Sequence, residues 1–145
     1  MLNAVPAPDL RVLYQHATAT VCPSVGEGFD FSGVEAMRSG GVVVASDIAV
    51  HREVFSDAAV YFNPYSTGSL VEALKGVLYS PDSLEVQKRL RICGQEVSKR
   101  YLPENILPQW ERFLSRVFTG HDAGVRDVVS QRQALLEPVG AVEES

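Results

Sequence analysis

The chain reads as an α/β protein: a Rossmann-like parallel sheet with flanking helices, followed by C-terminal helices alone. Three observations predict this. Short β-prone runs at 19–22, 42–45 and 58–62 alternate with helical periodicity. The middle run, Val42 to Ala45, is apolar without alternation, as a strand covered on both faces requires. After Pro64 the strand signals stop and only helical spacing remains.

The elements follow in order. Pro8 and Asp9 start a helix whose apolar positions are Leu10, Leu13, Tyr14 and Ala17. Ala19 to Cys22 is a strand closed by Pro23-Ser24, and the glycine-rich stretch Gly26 to Asp30 is a loop. Ser32 to Ser39 is a short helix stopped by Gly40-Gly41, with Ser32 as expected N-cap and Glu35 completing a capping box. His51 to Phe55 makes a helical turn, and Asn63-Pro64 ends the third strand. Two amphipathic helices come next, one striped by Leu70, Val71, Leu74, Val77 and Leu78, the other by Val86, Leu90, Cys93, Val97 and Tyr101. Pro103 opens a third, whose Ile106, Leu107, Trp110, Phe113, Leu114, Val117 and Phe118 face inward, Trp110 and its stripe being expected in a core or as cover for a domain of the full enzyme missing here. One domain over 1–120 and a flexible tail over 121–145 result, the tail because its pattern fades and aromatics vanish.

Composition narrows the function. The 145 residues carry 13 Lys plus Arg against 18 Asp plus Glu, a net charge of −5, and 46% are apolar, the range of an ordinary globular chain. Phosphate neutralisation needs clustered cations, so nucleic-acid binding is set aside. Cys22 and Cys93 have no partner at metal or disulfide spacing and read as small buried residues, and no metal site is expected. The first residues lack a secretion signal and no run approaches the roughly 20 apolar residues of a membrane span, so a cytoplasmic setting is expected. His16 and His51 read as surface or helix-end residues, Met37 as core packing, and Ser24 lacks partners for nucleophilic catalysis.

The chemistry concentrates between Pro23 and Gly40. A parallel strand ends there, a glycine-rich loop turns and a helix begins, which places Gly28, Phe29, Asp30, Phe31 and Ser32 where such sheets bind ligands. The free N–H groups of the helix start, with its dipole, suit a phosphate or diphosphate. Glu27 in the loop and Glu35 in the helix are two acids beside that anion, which makes sense if they accept hydrogen bonds from hydroxyls. The expected ligand is polyhydroxylated. Gly26, Gly28 and Gly33 have the wrong spacing for a dinucleotide fingerprint, and no P-loop Lys follows.

An ordered series of motifs runs through this region. Leu13-Tyr14-Gln15-His16-Ala17 precedes Pro23-Ser24-Val25-Gly26-Glu27-Gly28-Phe29, then Glu35-Ala36-Met37-Arg38-Ser39-Gly40, Ser46-Asp47, Glu53-Val54 and Tyr61 to Pro64. In this series the chain resembles the second half of the C-terminal, donor-binding domain of a retaining GT-B glycosyltransferase of family 4. The resemblance implies that Glu27 is the catalytic-site acid facing the donor sugar's hydroxyls near the reacting carbon. It implies that the backbone from Gly28 to Ser32 lies along sugar and diphosphate, and that Glu35 holds the ribose. The implied ligand is a GDP- or UDP-linked sugar, a substrate in place of any cofactor. The implied acceptor is a saccharide or a lipid-linked saccharide, as in polysaccharide synthesis, with the leaving diphosphate helping to deprotonate it. Asp30 and Phe31 stand where many members have Gly and Leu, a form most similar to mannosyltransferase-type members.

The family's basic pair, its earlier strands and its acceptor-binding N-terminal domain lie upstream of the matched segment, and Arg38 and Arg52 are not the matched basic positions. The chain is therefore expected to be a truncated form or one piece of a split enzyme, inactive alone, with another polypeptide supplying the missing half. In the full enzyme it would lie at the inner face of a membrane. The alternative is a non-catalytic binding or regulatory subunit that pairs with another transferase polypeptide through an open sheet edge. A generic nucleotide-binding module is the remaining reading.

Overall fold

The structure, a computed structural model, describes residues 5–118. The chain divides into two units at Leu102 and Pro103. The first carries α1 (Ala7–His16), β1 (Thr20–Cys22), α2 (Phe31–Arg38), β2 (Val43–Ser46), α3 (Ala49–Phe55), β3 (Ala59–Phe62), α4 (Thr67–Leu78) and α5 (Ser83–Lys99), with a 3₁₀ turn at Ser56–Ala58. The second contributes α6 (Pro103–Phe118). The expected tail over 121–145 lies outside the described residues.

The three strands form one parallel sheet in the order β1-β2-β3. Every residue of β2 is buried, as its unbroken apolar run predicts. Alternation along the strands sends Val43, Ala45, Ala59 and Tyr61 to one face, where α2, α3 and α5 supply Val34, Met37, Val54, Phe55 and Val97. Val42, Val44, Val60 and Phe62 face the other side, against Leu70, Leu74 and Val77 of α4 and Leu90 of α5. Both faces are covered and both outer strands are sheet edges. Close approach is bought by small residues: a Cβ on Gly94 would meet Met37, and one on Gly41 would meet the Tyr14 carbonyl.

The ends of α2 decide the geometry of the preceding loop. Ser32 is not the N-cap and there is no capping box. Asp30 caps the helix, its Oδ1 accepting from Gly33 N at 3.0 Å, so the helix starts two residues earlier than Ser32 would allow. At the other end Gly40, at φ +81°, closes a Schellman turn in which Gly40 N and Gly41 N bond back to Met37 O and Ala36 O. Arg91 of α5 donates to the Gly40 carbonyl.

Taken by itself, α6 is amphipathic, but none of its described residues is buried and Trp110 is 57% exposed. The described residues of α6 thus form no core of their own, which sets aside one of the two expectations for the Trp110 stripe and leaves the other, cover for the missing domain in the full enzyme. Its spacing revealed a stripe, and a stripe says nothing about what covers it.

Candidate functional site

The loop from Pro23 to Asp30 leaves the carboxyl end of β1 and delivers the chain to the α2 N-terminus. Glu27 is exposed, its Oε1 accepting from Ser24 Oγ at 2.6 Å. Gly26 and Gly28 have open space where a Cβ would sit, so a ligand can approach their backbone. Phe29 is half-buried and anchors the loop, its ring 5.0 Å from Tyr101 edge-on and 4.8 Å from Phe31. Phe31 is 71% exposed, a large apolar surface held at the loop's outer edge. The amides of Phe31 and Ser32 occupy the first two helical positions and have no intrahelical acceptor by construction, so they remain for an anion.

Glu35 is exposed on the next turn and lines a separate cleft of about 480 Å³ between α1 and α2, with Ala7, Leu10, Arg11, Tyr14, Arg38 and Ser39. Burial raises the Tyr14 phenol above its ordinary value and the Glu35 charge adds to this, while a hydrogen bond with Ser32 opposes it. Ser32 therefore joins the helix start to the cleft. Arg11 and Arg38 set two cations beside one carboxylate, so the cleft can take an anion as well as hydroxyls, a balance the motif spacing did not disclose. Among the described residues, no group of three or more His, Cys, Asp and Glu could hold a metal ion.

Beneath the loop lies a polar cluster that sequence reasoning missed. His51, expected at the surface or a helix end, stands in the first turn of α3 and is fully buried, and Asp30 is 7% exposed. His51 Nε2 stands 3.2 Å from Asp30 Oδ2, and its Nδ1 stands 2.9 Å from Ser46 O and 3.0 Å from Ser46 Oγ. Ser46 Oγ in turn donates to the Ser24 carbonyl. Cys22 is buried as expected, its thiol pushed up by burial and by Asp30, whereas Cys93 is only half-buried. Arg52 is engaged elsewhere, in a bidentate pair with Asp47 at 2.6 and 2.8 Å and over the Tyr61 ring at 3.9 Å. That bond lowers the Asp47 carboxyl below its usual range. Asp30 and His51 stand 21 positions apart with no motif joining them, so only the fold could bring them together with Ser46.

Residues 1–100 match the family model described as glycosyl transferases group 1. The chain belongs to that family. Among its relatives is the O-antigen chain mannosyltransferase RfbU of Salmonella typhimurium, 40% identical over 83 residues, covering 57% of this chain and 24% of that protein. The alpha-maltose-1-phosphate synthase of Mycolicibacterium smegmatis is 32% identical over 114 residues, 71% of this chain and 29% of that protein. The chain thus spans 24% and 29% of the length of these two relatives. The sucrose-phosphate synthase of Thermosynechococcus elongatus superposes with a TM-score of 0.72 at 23% identity, over 82% of this chain and 30% of that one, and shares the fold. The chain accordingly presents part of a GT-B Rossmann-like domain. No helix among its described residues is long and apolar enough to cross a membrane.

Proposed function

We propose that this chain is the donor-binding portion of a retaining glycosyltransferase, holding a GDP- or UDP-linked sugar for transfer to a saccharide or lipid-linked acceptor. The observation that carries the reading is the α2 N-terminus: two amides without intrahelical partners, flanked by Glu27 on the loop and Glu35 in the adjoining cleft. In this reading the diphosphate lies on the amides of Phe31 and Ser32, Gly28 to Asp30 pass beside the sugar, Glu35 accepts from the ribose hydroxyls, and Glu27 accepts from sugar hydroxyls near the reacting carbon. Likeness to a protein named an O-antigen chain mannosyltransferase supports mannose as the sugar.

Calorimetric titration with GDP, UDP and their sugar conjugates tests the assignment. Saturable binding that prefers one base is expected. Glu35→Ala should weaken it by about 1–3 kcal/mol, the cost of a lost hydrogen bond to a charged group. Equal affinity in the variant refutes the ribose role.

One feature favours the second reading, a non-catalytic subunit that pairs with another transferase polypeptide. Among the described residues β1 pairs on one side only, and Val21 on it is 38% exposed. Glu27→Ala in a reconstituted complex separates the two. Transfer lost by about two orders of magnitude or more places the residue in a working site, by analogy with removal of one preorganised polar group. Unchanged transfer makes the chain scaffolding.

A further inference from the structure

The buried cluster beneath the loop has a proton count that can be worked out atom by atom. The Ser24 carbonyl can only accept, so the single hydroxyl proton of Ser46 is committed to it. The Ser46 carbonyl, 2.9 Å from His51 Nδ1, also only accepts, so Nδ1 must carry a proton. Nε2 then lies 3.2 Å from Asp30 Oδ2, close but outside hydrogen-bond alignment, and is otherwise unpartnered. A neutral ring beside an ionised carboxylate would set lone pair against lone pair in a site closed to water. One proton held between ring and carboxyl removes that conflict.

We propose that His51 is a positioning residue whose proton, shared with Asp30, locks the start of α2. The inference rests on the donor reading only for its consequence, namely that the locked amides of Phe31 and Ser32 are the ones that receive the diphosphate. Three connections make the lock. Asp30 Oδ1 holds Gly33 N while Oδ2 meets the ring, so the cap cannot rotate without losing one of them. Through Ser46 the same ring reaches the Ser24 carbonyl, so both ends of the loop are tied to one side chain. Phe55 stacks on the ring with centroids 5.1 Å apart and planes at 23°, which fixes the tilt.

The charged and titratable neighbours are few. From β1, Cys22 bonds to Asp30 and senses Glu27. From β3, the Tyr61 hydroxyl donates to the Ser56 carbonyl at 2.6 Å and lies 3.2 Å from the His51 carbonyl. Beside His51 in sequence, Arg52 is already neutralised by Asp47. None of these supplies a proton to Nε2.

The test uses the full chain labelled with ¹⁵N-histidine. Three histidines are present, and the His51 signals are those missing from His51→Gln. The expected spectrum has a proton on Nδ1, slow to exchange. A neutral ring with bare Nδ1 and the proton on Nε2, the form free histidine prefers, overturns the proposal. Asp30→Asn supplies a second reading that does not risk the fold: its amide oxygen keeps the cap and its NH₂ donates to Nε2. The ring should then stay neutral with Nδ1 protonated at neutral pH and the Gly33 amide should stay protected. A variant whose ring reverts to the Nε2–H form overturns the lock. For function, His51→Ala should weaken GDP and UDP binding about tenfold, the loss of one well-placed hydrogen bond. His51→Gln, which retains a donor toward Asp30, should recover most of that. Alanine and glutamine variants that bind as tightly as the parent overturn the positioning role. A parent chain that binds neither nucleotide refutes the donor reading, and the ring spectrum alone then decides this one.

Discussion

Replacing Gly33 with alanine puts two effects in opposition, and the structure decides between them. In an ordinary helix the change stabilises by about 1 kcal/mol, because alanine loses less backbone freedom. Here the new Cβ would stand 2.2 Å from Phe55 Cζ, 2.7 Å from Cε1 and 3.1 Å from Cε2. Carbon contacts are comfortable at about 3.5–4.0 Å, so the ring must retreat by more than about 1 Å. It has nowhere to go, being fully buried and stacked on His51. Overpacking of this kind costs roughly 1–3 kcal/mol, and a clash against a trapped ring belongs at the upper end. The expected net effect is destabilisation of about 2 kcal/mol, or a fall in Tm of about 10 °C for a unit of this size. Thermal and urea unfolding followed by circular dichroism measure it. Combining Gly33→Ala with Phe55→Leu should cost less than the separate effects predict, since the smaller side chain makes room. A Gly33→Ala chain as stable as the parent, or more so, refutes the packing argument.

Two further outcomes concern stability. Ser56 is the one described non-glycine residue at positive φ, with φ 48° and ψ −126°, a conformation in which a Cβ is strained. Ser56→Gly should stabilise by about 1 kcal/mol, read from the urea midpoint, despite losing the Arg100 contact to Ser56 Oγ. Burial pushes the Tyr61 phenol up to about 12 from its ordinary 10. The folded chain then keeps a proton that the unfolded chain releases, so stability should fall as pH rises from 10 towards 12. Tyr61→Phe should flatten that slope. An unchanged slope would assign the alkaline loss to another group.

The sheet was legible because burial on both faces leaves its mark directly in composition: Val42 to Ala45 carries no polar residue. The stop of α2 was equally plain, since a Gly40-Gly41 pair has few other uses in that position. Its start was not. Asp30, Ser32 and Glu35 all suit a helix N-terminus, and propensity cannot rank an aspartate against a serine two residues on when both are good caps. The depth of Phe55 beneath Gly33 favours the earlier start, and that depth is a tertiary fact. His51 was misjudged for a related reason. A histidine beside Arg52 and Glu53 looks solvated, and only the meeting of α3 with the ends of β1 and β2 buries it. Trp110 shows the converse error, a correct stripe credited with a cover that its own periodicity could not name. Order and spacing put Glu27 on the loop and Glu35 in the helix, and the coordinates add that Glu35 lines a cleft between α1 and α2.

The parallel register has a consequence for how the chain reaches this state. Thr20 faces Val43 and Val43 faces Ala59, so each ladder joins residues about twenty positions apart, and none can begin as a local hairpin. The entropy of closing each crossover is spent before any strand bond is returned. Early docking of α2 and α3 shortens that search by presenting strand ends already close in space. Interactions that define those helices, the Asp30 cap foremost, are therefore expected to govern the refolding rate, while contacts made by α4 on the opposite face govern how long the finished sheet survives.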